Sequence, residues 1–383
     1  MRASPCTATF RVVSLARLIL LCALLSGLVR GAAAEDWKVI RAEGRDYVTF
    51  ANVAQFYHFS KYAHASRTVS LRDDRRGLRA QGGTSEFYIN GVRFFSNYPL
   101  LARADANLVS AMDVAKIIEP VLRPHKIAGA KKIETVVLDP GHGGEDSGTA
   151  GRWGSEKNYT LDVALAARED LLRAGFQVQM THATDQTVSL EERVAFANRF
   201  PNAVFISIHF NSARGGSGVE SYALAPAGVP SNAASEEHAS SVETHWYAGN
   251  AQDPANIALT AAVHGSILSR VSVFDRGVRH ARFHVLRDIR IPGMLVEAGF
   301  LNDEVDGPRI ATRQYRARLG QAIAEAVTNY NKAVNFQTSG TTLVTSASNL
   351  PPHTHSILES LGSEGQAPAA PEQEPSAVIH SSP

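Results

Sequence analysis

The stretch TVVLDPGHGGEDSG, residues 135–148, begins as a buried strand and ends in a glycine-rich turn that carries one histidine. The apolar run VVL predicts the strand, and Pro140 with the glycines that follow predicts its end. Histidine is not a turn former. His142 is therefore either a metal-binding or proton-transfer residue at the carboxyl edge of a sheet, or a polar loop residue, and this stretch leaves both interpretations open.

Strand-like and helix-like segments alternate through residues 133–336. The strand candidates are TVVLD, FQVQM, VFISI, VESYAL and GMLVEAGF. Apolar residues at helical spacing predict a helix that Gly175 ends, and Ser189 with Glu192 forms a capping box for the next helix. The alternation predicts an α/β fold, with a mixed, largely parallel sheet flanked by helices.

The chain before this region has a different pattern. Residues 35–124 combine short strand-like segments with two helix-like ones, which predicts a small α+β module, and the pair Asn90 and Gly91 is a strong hairpin signal. Residues 125–132 are predicted to be a linker. Residues 337–383 contain no Lys or Arg and are predicted to be a disordered tail.

The start of the chain has the form of a secretory signal peptide. Arginines precede the apolar run LILLCALLSGLV, and small residues follow it up to Ala34. The run is too short to span a bilayer, so residues 1–34 are predicted to be removed on export. The mature protein is expected to be secreted, periplasmic or wall-associated, with no transmembrane anchor. Both cysteines, Cys6 and Cys22, lie in this leader, which excludes thiolate chemistry from the mature chain.

The charge balance gives no sign of a nucleic-acid partner. The chain has 38 basic and 37 acidic residues, and removing the four arginines of the leader leaves 34 against 37, a net charge of −3. A nucleic-acid-binding domain usually carries a basic patch or an excess of Lys and Arg. We therefore expect no nucleic acid to bind.

Four polar residues follow the predicted strands or open a helix. His142 comes after TVVLD, His209 after VFISI, and GMLV runs into Glu297. Glu156 stands in GSEKN, where a helix begins. Sites in open α/β sheets form beyond the carboxyl ends of strands, so three of the four are predicted to gather at one edge.

This set of residue types suits catalytic zinc. Two imidazoles and one carboxylate are a common ligand set, which leaves a fourth position for water. Zinc lowers the pKa of that water toward about 7, and a further carboxylate can accept its proton. Spacing does not say whether Glu156 or Glu297 is the ligand. The pattern is also not the compact HExxH helix, so scattered polar loop residues remain the alternative.

Six segments together resemble a known family. VVLDPGHGGEDSGTAG, GSEKNYTLDVA, LEERVAFAN, FISIHFNSA, RGVRHARFHVLR and MLVEAGFLND are similar, in this order, to the motifs of zinc-dependent N-acetylmuramoyl-L-alanine amidases of the AmiC type, the third amidase family. The resemblance covers residues 133–330. It implies that His142, Glu156 and His209 bind Zn²⁺ and that Glu297 is catalytic. It also implies peptidoglycan as the substrate, cut between N-acetylmuramic acid and the L-alanine of the stem peptide.

Some residues depart from the family pattern or have two interpretations. His182 stands after Thr181 where the family usually has arginine, and it is either an extra metal ligand or a surface or supporting histidine. Asn302 and Asp303 replace a more usual Ser-Asn pair. Asn211 either orients a ligand or substrate, or satisfies a turn at the end of its strand.

The module of residues 35–124 resembles, more weakly, the copper-amine-oxidase N-terminal-like modules attached to some such amidases. The resemblance implies no copper. The module either attaches or positions the enzyme on the wall, or serves as a folding partner.

Residues 227–253 interrupt the alternating pattern with a polar segment, which is either a passive surface loop or a lid. Some AmiC-type amidases carry near this place a helix that blocks zinc until an activator protein removes it. The candidate blocking residues are Glu236, Glu237, His238, Glu243 and His245.

Two other functions stay open at this point. The chain could be a peptidoglycan-binding protein without activity, or a different zinc hydrolase of the wall, a deacetylase or a carboxypeptidase. The presence of all four site residues favours an amidase over a protein that only binds.

Overall fold

A computed structural model describes residues 37–213, 215–232 and 244–336. The predicted signal peptide and tail, and residues 233–243 of the insertion, lie outside the described residues. Within these ranges no helix is both long and apolar enough to cross a membrane.

The strands are numbered in chain order. They are β1 Ile40–Ala42, β2 Arg45–Thr49, β3 Lys61–Ala65, β4 Thr68–Arg72, β5 Gly77–Gln81, β6 Glu86–Ile89, β7 Val92–Phe95, β8 Leu101–Ala102, β9 Asn107–Ser110, β10 Thr135–Pro140, β11 Ala150–Gly151, β12 Gly154–Ser155, β13 Gln177–Met180, β14 Ala203–Asn211, β15 Val219–Leu224, β16 Asp275–Ala281 and β17 Gly293–Phe300.

The helices are numbered in the same way. They are α1 Phe50–Phe56, α2 Ala111–Asp113, α3 Glu119–Leu122, α4 Glu156–Arg173, α5 Leu190–Ala197, α6 Asp253–Arg270, α7 His284–Arg287, α8 Asp306–Ile310 and α9 Arg313–Val334. A π-helical turn, Val114–Ile118, joins α2 to α3, and Pro124–Lys126 and Ala248–Gln252 form 3₁₀ turns.

An 11-stranded mixed sheet organises the fold. Its strand order is β13-β10-β14-β17-β15-β16-β7-β6-β5-β4-β3. The first four strands of this order are parallel, β15 is antiparallel to β17 and parallel to β16, and β7 to β3 form an antiparallel meander. The predicted mixed sheet flanked by helices is confirmed.

Three short sequence motifs form the helix start, the hairpin and the helix end that they predict. Ser189 and Glu192 form both hydrogen bonds of a capping box at the start of α5. Asn90 and Gly91 have φ values of 51° and 83°, the left-handed conformations that a tight hairpin between β6 and β7 requires. Gly175 has a φ of 90° and follows the end of α4.

Helices cover the two faces of the parallel strands unequally. The long helices α4, α6 and α9 pack on one face, against a core that contains Ile206 and Val296. The short helices α5 and α7 cover part of the other face, near Phe205 and Leu295. Because side chains alternate along a strand, neighbouring residues bury against opposite layers. Toward their carboxyl ends, β14 and β17 carry the polar residues Ser207, His209 and Glu297 on this second face.

The sheet continues from the parallel strands into the N-terminal module. Phe94 of β7 pairs in parallel with Val278 of β16, and both side chains are buried. They belong to one apolar cluster that also contains Ile257 of α6 and Leu78 of β5. The proposed boundary at residues 125–132 stays a prediction, but the main sheet of the module and the parallel strands form one continuous surface.

Candidate metal centre

His142 lies in the turn directly after β10. Its backbone has a φ of 65°, a left-handed conformation that is uncommon outside glycine and turns the chain sharply back. Gly141, just before it, has no room for a side chain, because a Cβ there would overlap the His209 ring. The glycines around the histidine therefore allow the end of β10 to approach the end of β14.

Glu156 is the first residue of α4 and is 3% exposed. Its Oε2 accepts a hydrogen bond from the Thr149 backbone N–H at 2.9 Å, and its Oε1 accepts one from the Phe210 backbone N–H at 3.0 Å. These two backbone donors fix the carboxylate in one orientation. The start of α4 thus holds Glu156 beside the end of β14.

His142, Glu156 and His209 each offer one ligand atom, and these atoms lie within 4.8 Å of one another. Glu156 Oε1 is 3.1 Å from His142 Nε2 and 3.0 Å from His209 Nδ1. The other nitrogen of His142, Nδ1, lies 2.8 Å from Asp146 Oδ2. A second partner of this kind orients a metal-binding imidazole.

The charges in this group favour binding of a cation. Burial opposes ionisation of Glu156, but hydrogen bonds and charge interactions with His142 and His209 hold the pKa of Glu156 well below its ordinary value. Burial also opposes protonation of His142, but Glu156 and Asp146 raise the pKa of His142. The carboxylate is therefore ionised beside two nitrogen ligands, the donor set that zinc takes in hydrolases.

Glu297 lies next to this group on the sheet. It pairs in register with His209, across the parallel strands β17 and β14. The same register places both side chains on one face, about 5 Å apart at the backbone. Within the described residues, Glu297 Oε2 is buried without a hydrogen-bond partner. Burial, with the nearby charges of Glu156 and Glu220, raises the pKa of Glu297 well above its ordinary value.

Glu220 is a third acid at this site, which the sequence did not single out. It pairs with Glu297 across β15 and β17 and is 4% exposed. Its Oε1 accepts a hydrogen bond from Asn211 Nδ2 at 2.7 Å, and its Oε2 accepts one from Arg276 Nε at 2.9 Å. Asn211 Oδ1 also accepts from the Ser212 backbone N–H at 2.6 Å, so Asn211 both satisfies a turn and holds Glu220. The sequence feature that could have identified Glu220 is its position as an acid inside the largely apolar strand VESYAL.

Two residues brace the turn that carries His142. Arg193 is 4% exposed and donates to Asp139 Oδ1 at 2.7 Å and to the His142 carbonyl at 2.8 Å. His182 is 3% exposed, and its ring nitrogens lie 2.8 Å from the Pro140 carbonyl and 3.0 Å from the Thr184 carbonyl. His182 is thus buried rather than on the surface, and it supports the turn outside the group of three ligand atoms. The buried position of Arg193 was not predicted.

Most of the candidate blocking residues lie in the part of the chain that the structure does not describe. Glu236, Glu237, His238 and Glu243 lie outside the described residues. His245 is exposed, and its ring packs edge-on against Tyr247 with centroids 4.5 Å apart. The blocking role of this segment stays a prediction.

Part of the chain is similar in sequence to known proteins. Residues 136–329 match the family described as N-acetylmuramoyl-L-alanine amidase. The sporulation-specific N-acetylmuramoyl-L-alanine amidase of Bacillus subtilis and the N-acetylmuramoyl-L-alanine amidase CwlM of Bacillus licheniformis are each 31% identical over 194 residues. Each match covers 50% of this chain and 66% of the relative, so the chain spans just under two thirds of their length.

Solved structures are similar over the same part of the chain. N-acetylmuramoyl-L-alanine amidase AmiC2 of Nostoc punctiforme is 32% identical, with a TM-score of 0.43. The match covers 53% of this chain and 98% of that chain.

Proposed function

The chain belongs to the N-acetylmuramoyl-L-alanine amidase family, and from this premise we propose that it is a peptidoglycan hydrolase. It cleaves the amide bond between N-acetylmuramic acid and the L-alanine of the stem peptide. The observation that supports this most directly is that Glu156 Oε1 lies within 3.1 Å of a nitrogen of each of the two histidines, with Glu297 in register beside His209.

We propose that His142, Glu156 and His209 hold a zinc ion. Two nitrogens and one carboxylate oxygen fit a catalytic zinc site, and Asp146 orients His142 from outside. When bound, zinc supplies Lewis acidity, which lowers the pKa of water toward about 7 and polarises a carbonyl group. Residues beside the zinc site perform the proton transfers of the reaction.

Glu297 is the proposed general base and then the general acid. It accepts a proton from water as the water oxygen forms a bond to the scissile carbonyl carbon. It returns that proton to the alanine nitrogen as the carbon–nitrogen bond breaks, which leaves a free amine and a lactyl carboxylate. The free Oε2 of Glu297 supports this role, because no neighbour among the described residues occupies it. Glu220 remains bonded to Arg276 and Asn211 and keeps its own position.

The proposed export of the chain fits this substrate. Peptidoglycan lies outside the cytoplasmic membrane, and residues 1–34 have the form of a signal peptide. An activator protein and an accessory role for the N-terminal module remain proposals of the same kind.

Digestion of purified sacculi, with and without a metal chelator, tests the function. Mass spectrometry of the released material should show stem peptides with a free L-alanine amine and glycan with intact lactyl groups, only when metal is present. Release of acetate would indicate a deacetylase, and release of a single C-terminal amino acid a carboxypeptidase. Binding of sacculi without any released fragment would indicate a wall-binding protein and contradict the proposal.

A further inference from the structure

A two-stranded hairpin leads directly into the candidate metal ligand Glu156. Its strands β11 and β12 pair antiparallel, with Arg152 and Trp153 at the tip. At its base, the Glu156 backbone N–H donates to the Thr149 carbonyl at 2.8 Å, and the Thr149 backbone N–H donates to Glu156 Oε2 at 2.9 Å. The position of the Glu156 carboxylate therefore depends on the geometry of this hairpin.

Trp153 docks the tip of the hairpin against α8. A Cβ on Gly307, the second residue of α8, would lie 2.6 Å from Trp153 Nε1 and closer still to Cδ1, so the indole ring lies directly on the backbone there. Trp153 is partly buried and also packs against the main apolar core. Within the described residues its Nε1 is buried without a hydrogen-bond partner. Packing, rather than a hydrogen bond, therefore holds the ring in place.

The first turn of α4 holds the hairpin from the other side. The Tyr159 hydroxyl donates a hydrogen bond to the Trp153 carbonyl. Gly154 has a φ of +124°, and a Cβ there would lie 2.8 Å from Tyr159 Cζ, so glycine allows the hairpin to approach this closely. Arg152 adds an exposed ion pair with Glu304, which contributes little to stability. The tip is therefore fixed mainly by its contacts with α8 and α4.

Helix α8 is in turn fixed to the strand that carries the candidate base Glu297. At the start of α8, Asp306 Oδ2 accepts hydrogen bonds from the Phe300 backbone N–H at 3.2 Å and from the Gly218 backbone N–H at 2.6 Å. Phe300 is the last residue of β17, three residues after Glu297. A continuous path of contacts therefore runs from Glu156, through the hairpin tip and α8, to the strand of Glu297.

We propose that Trp153 is a positioning residue of the metal centre, an inference that rests on the proposed zinc amidase function. Docked on Gly307, it keeps the hairpin closed and so sets the Glu156 carboxylate relative to Glu297. A misplacement of about 1 Å in such a site can cost about a hundredfold in rate. Trp153 therefore acts on zinc affinity and on turnover without contacting the substrate.

Trp153→Ala in the full chain tests the inference through zinc binding. Competition with a chromophoric chelator should show about tenfold weaker zinc affinity, because loss of a residue that supports a metal ligand costs about 10- to 100-fold. Trp153→Phe should restore the affinity, since packing and not the indole N–H holds the ring. In the metal-free protein, hydrogen exchange at the Thr149 amide should be faster in Trp153→Ala, which reports the opened hairpin without any metal.

The matched control is Trp37→Ala in the N-terminal module. Trp37 is also partly buried, and its ring packs on Phe56 with centroids 4.5 Å apart. The control removes the same side chain from a different part of the fold, so it should lower the stability of the metal-free protein but keep the zinc affinity. Equal zinc affinities of Trp153→Ala and Trp37→Ala would overturn the inference.

Kinetics separate positioning from substrate contact. On a soluble muramoyl peptide at saturating zinc, Trp153→Ala should lower kcat by about tenfold and leave KM within about twofold of the wild type. An increase in KM with unchanged kcat and zinc affinity would mean that Trp153 contacts the substrate, and would contradict the inference.

The outcomes also separate this inference from the proposed function. If the wild type hydrolyses sacculi and Trp153→Ala matches it in zinc affinity and kcat, the positioning role is wrong and the amidase function stands. If the wild type does not hydrolyse sacculi but Trp153→Ala binds zinc more weakly, the proposed function fails and the role of Trp153 in metal binding stands.

Discussion

Glu297 and His209 lie opposite each other in register on the neighbouring parallel strands β17 and β14. A candidate base and a candidate metal ligand are therefore held by the sheet, and their spacing does not depend on a loop. The register shifts between His209 and Asn211, a β-bulge or similar irregularity directly after this pair. Bulges are common next to active sites, where they redirect a side chain.

Glu297→Gln should lose hydrolysis and keep the metal. Glutamine has almost the same shape but cannot accept a proton, so the rate on sacculi should fall by about a hundred- to ten-thousand-fold. Zinc content, measured by atomic absorption, should stay at the wild-type level. Glu169→Gln, an exposed site on α4, is the control and should keep full activity. Wild-type rates in Glu297→Gln would remove this residue from the mechanism.

His142→Ala should lower zinc content and the stabilisation that zinc provides. A ligand that binds only the folded chain raises its stability, by about 2.7 kcal/mol at a hundredfold excess over Kd. The melting temperature of the wild type should therefore rise with added zinc and fall with chelator, and His142→Ala should show little of either change. His58→Asn is a suitable control, because His58 is exposed with a φ of 55° that asparagine tolerates. An unchanged zinc response in His142→Ala would exclude it as a ligand.

The sequence predicted the elements whose signals are local. The apolar run of β10, the capping box at Ser189 and the Asn90–Gly91 hairpin depend on residues close together in the chain, and all three are present. The grouping of His142, His209 and Glu297 followed from a general rule about strand ends. The spacing of residues in the sequence could not indicate whether Glu156 or Glu297 is the candidate metal ligand. The position of each carboxylate depends on the backbone N–H donors that it contacts in the folded chain.

The long-range features were not predictable in this way. The continuation of the sheet depends on one pairing, between Phe94 and Val278, which are far apart in the chain. An apolar residue in a strand indicates burial but not its partner. The bracing role of Arg193 likewise depends on contacts with Asp139 and the His142 carbonyl, which only the folded chain brings together.

Gly148→Ala should weaken metal binding more than it weakens the fold. Gly148 has a φ of +59°, and a Cβ there would lie 2.5 Å from His142 Cδ2 and 2.6 Å from Glu156 Oε2, closer than van der Waals contact allows. One of the two ligand side chains must move. The control is Gly129→Ala, with a φ of +70° and nothing within 4 Å, which carries the same backbone cost of about 1–2 kcal/mol for a left-handed residue with a Cβ.

Competition with a chromophoric chelator measures the zinc affinity of both glycine variants. Gly148→Ala should bind zinc more weakly than Gly129→Ala, although urea unfolding of the metal-free proteins should give similar stabilities. Equal zinc affinities would mean that the ligands adjust without cost, and that the close approach at Gly148 is not needed.

Acid should destabilise the fold through His280, which lies on β16 and is 2% exposed. Burial, with the charges of Arg282 and Lys116, lowers the pKa of His280 to about 4. The unfolded chain, with a pKa of about 6.5, binds the proton more readily, so stability is full above that value and falls as the pH drops toward about 4. The gap between the two pKa values corresponds to about 3 kcal/mol.

His280→Gln should remove this part of the acid sensitivity. Urea unfolding of both proteins at about pH 7 and about pH 5 measures it, and the free energy of unfolding should fall less in the variant on acidification. Burial raises the pKa of Asp113 to about 6, which acts in the opposite direction. Because Asp113 is present in both proteins, its effect cancels in the comparison. Equal losses on acidification would show that His280 does not carry the effect.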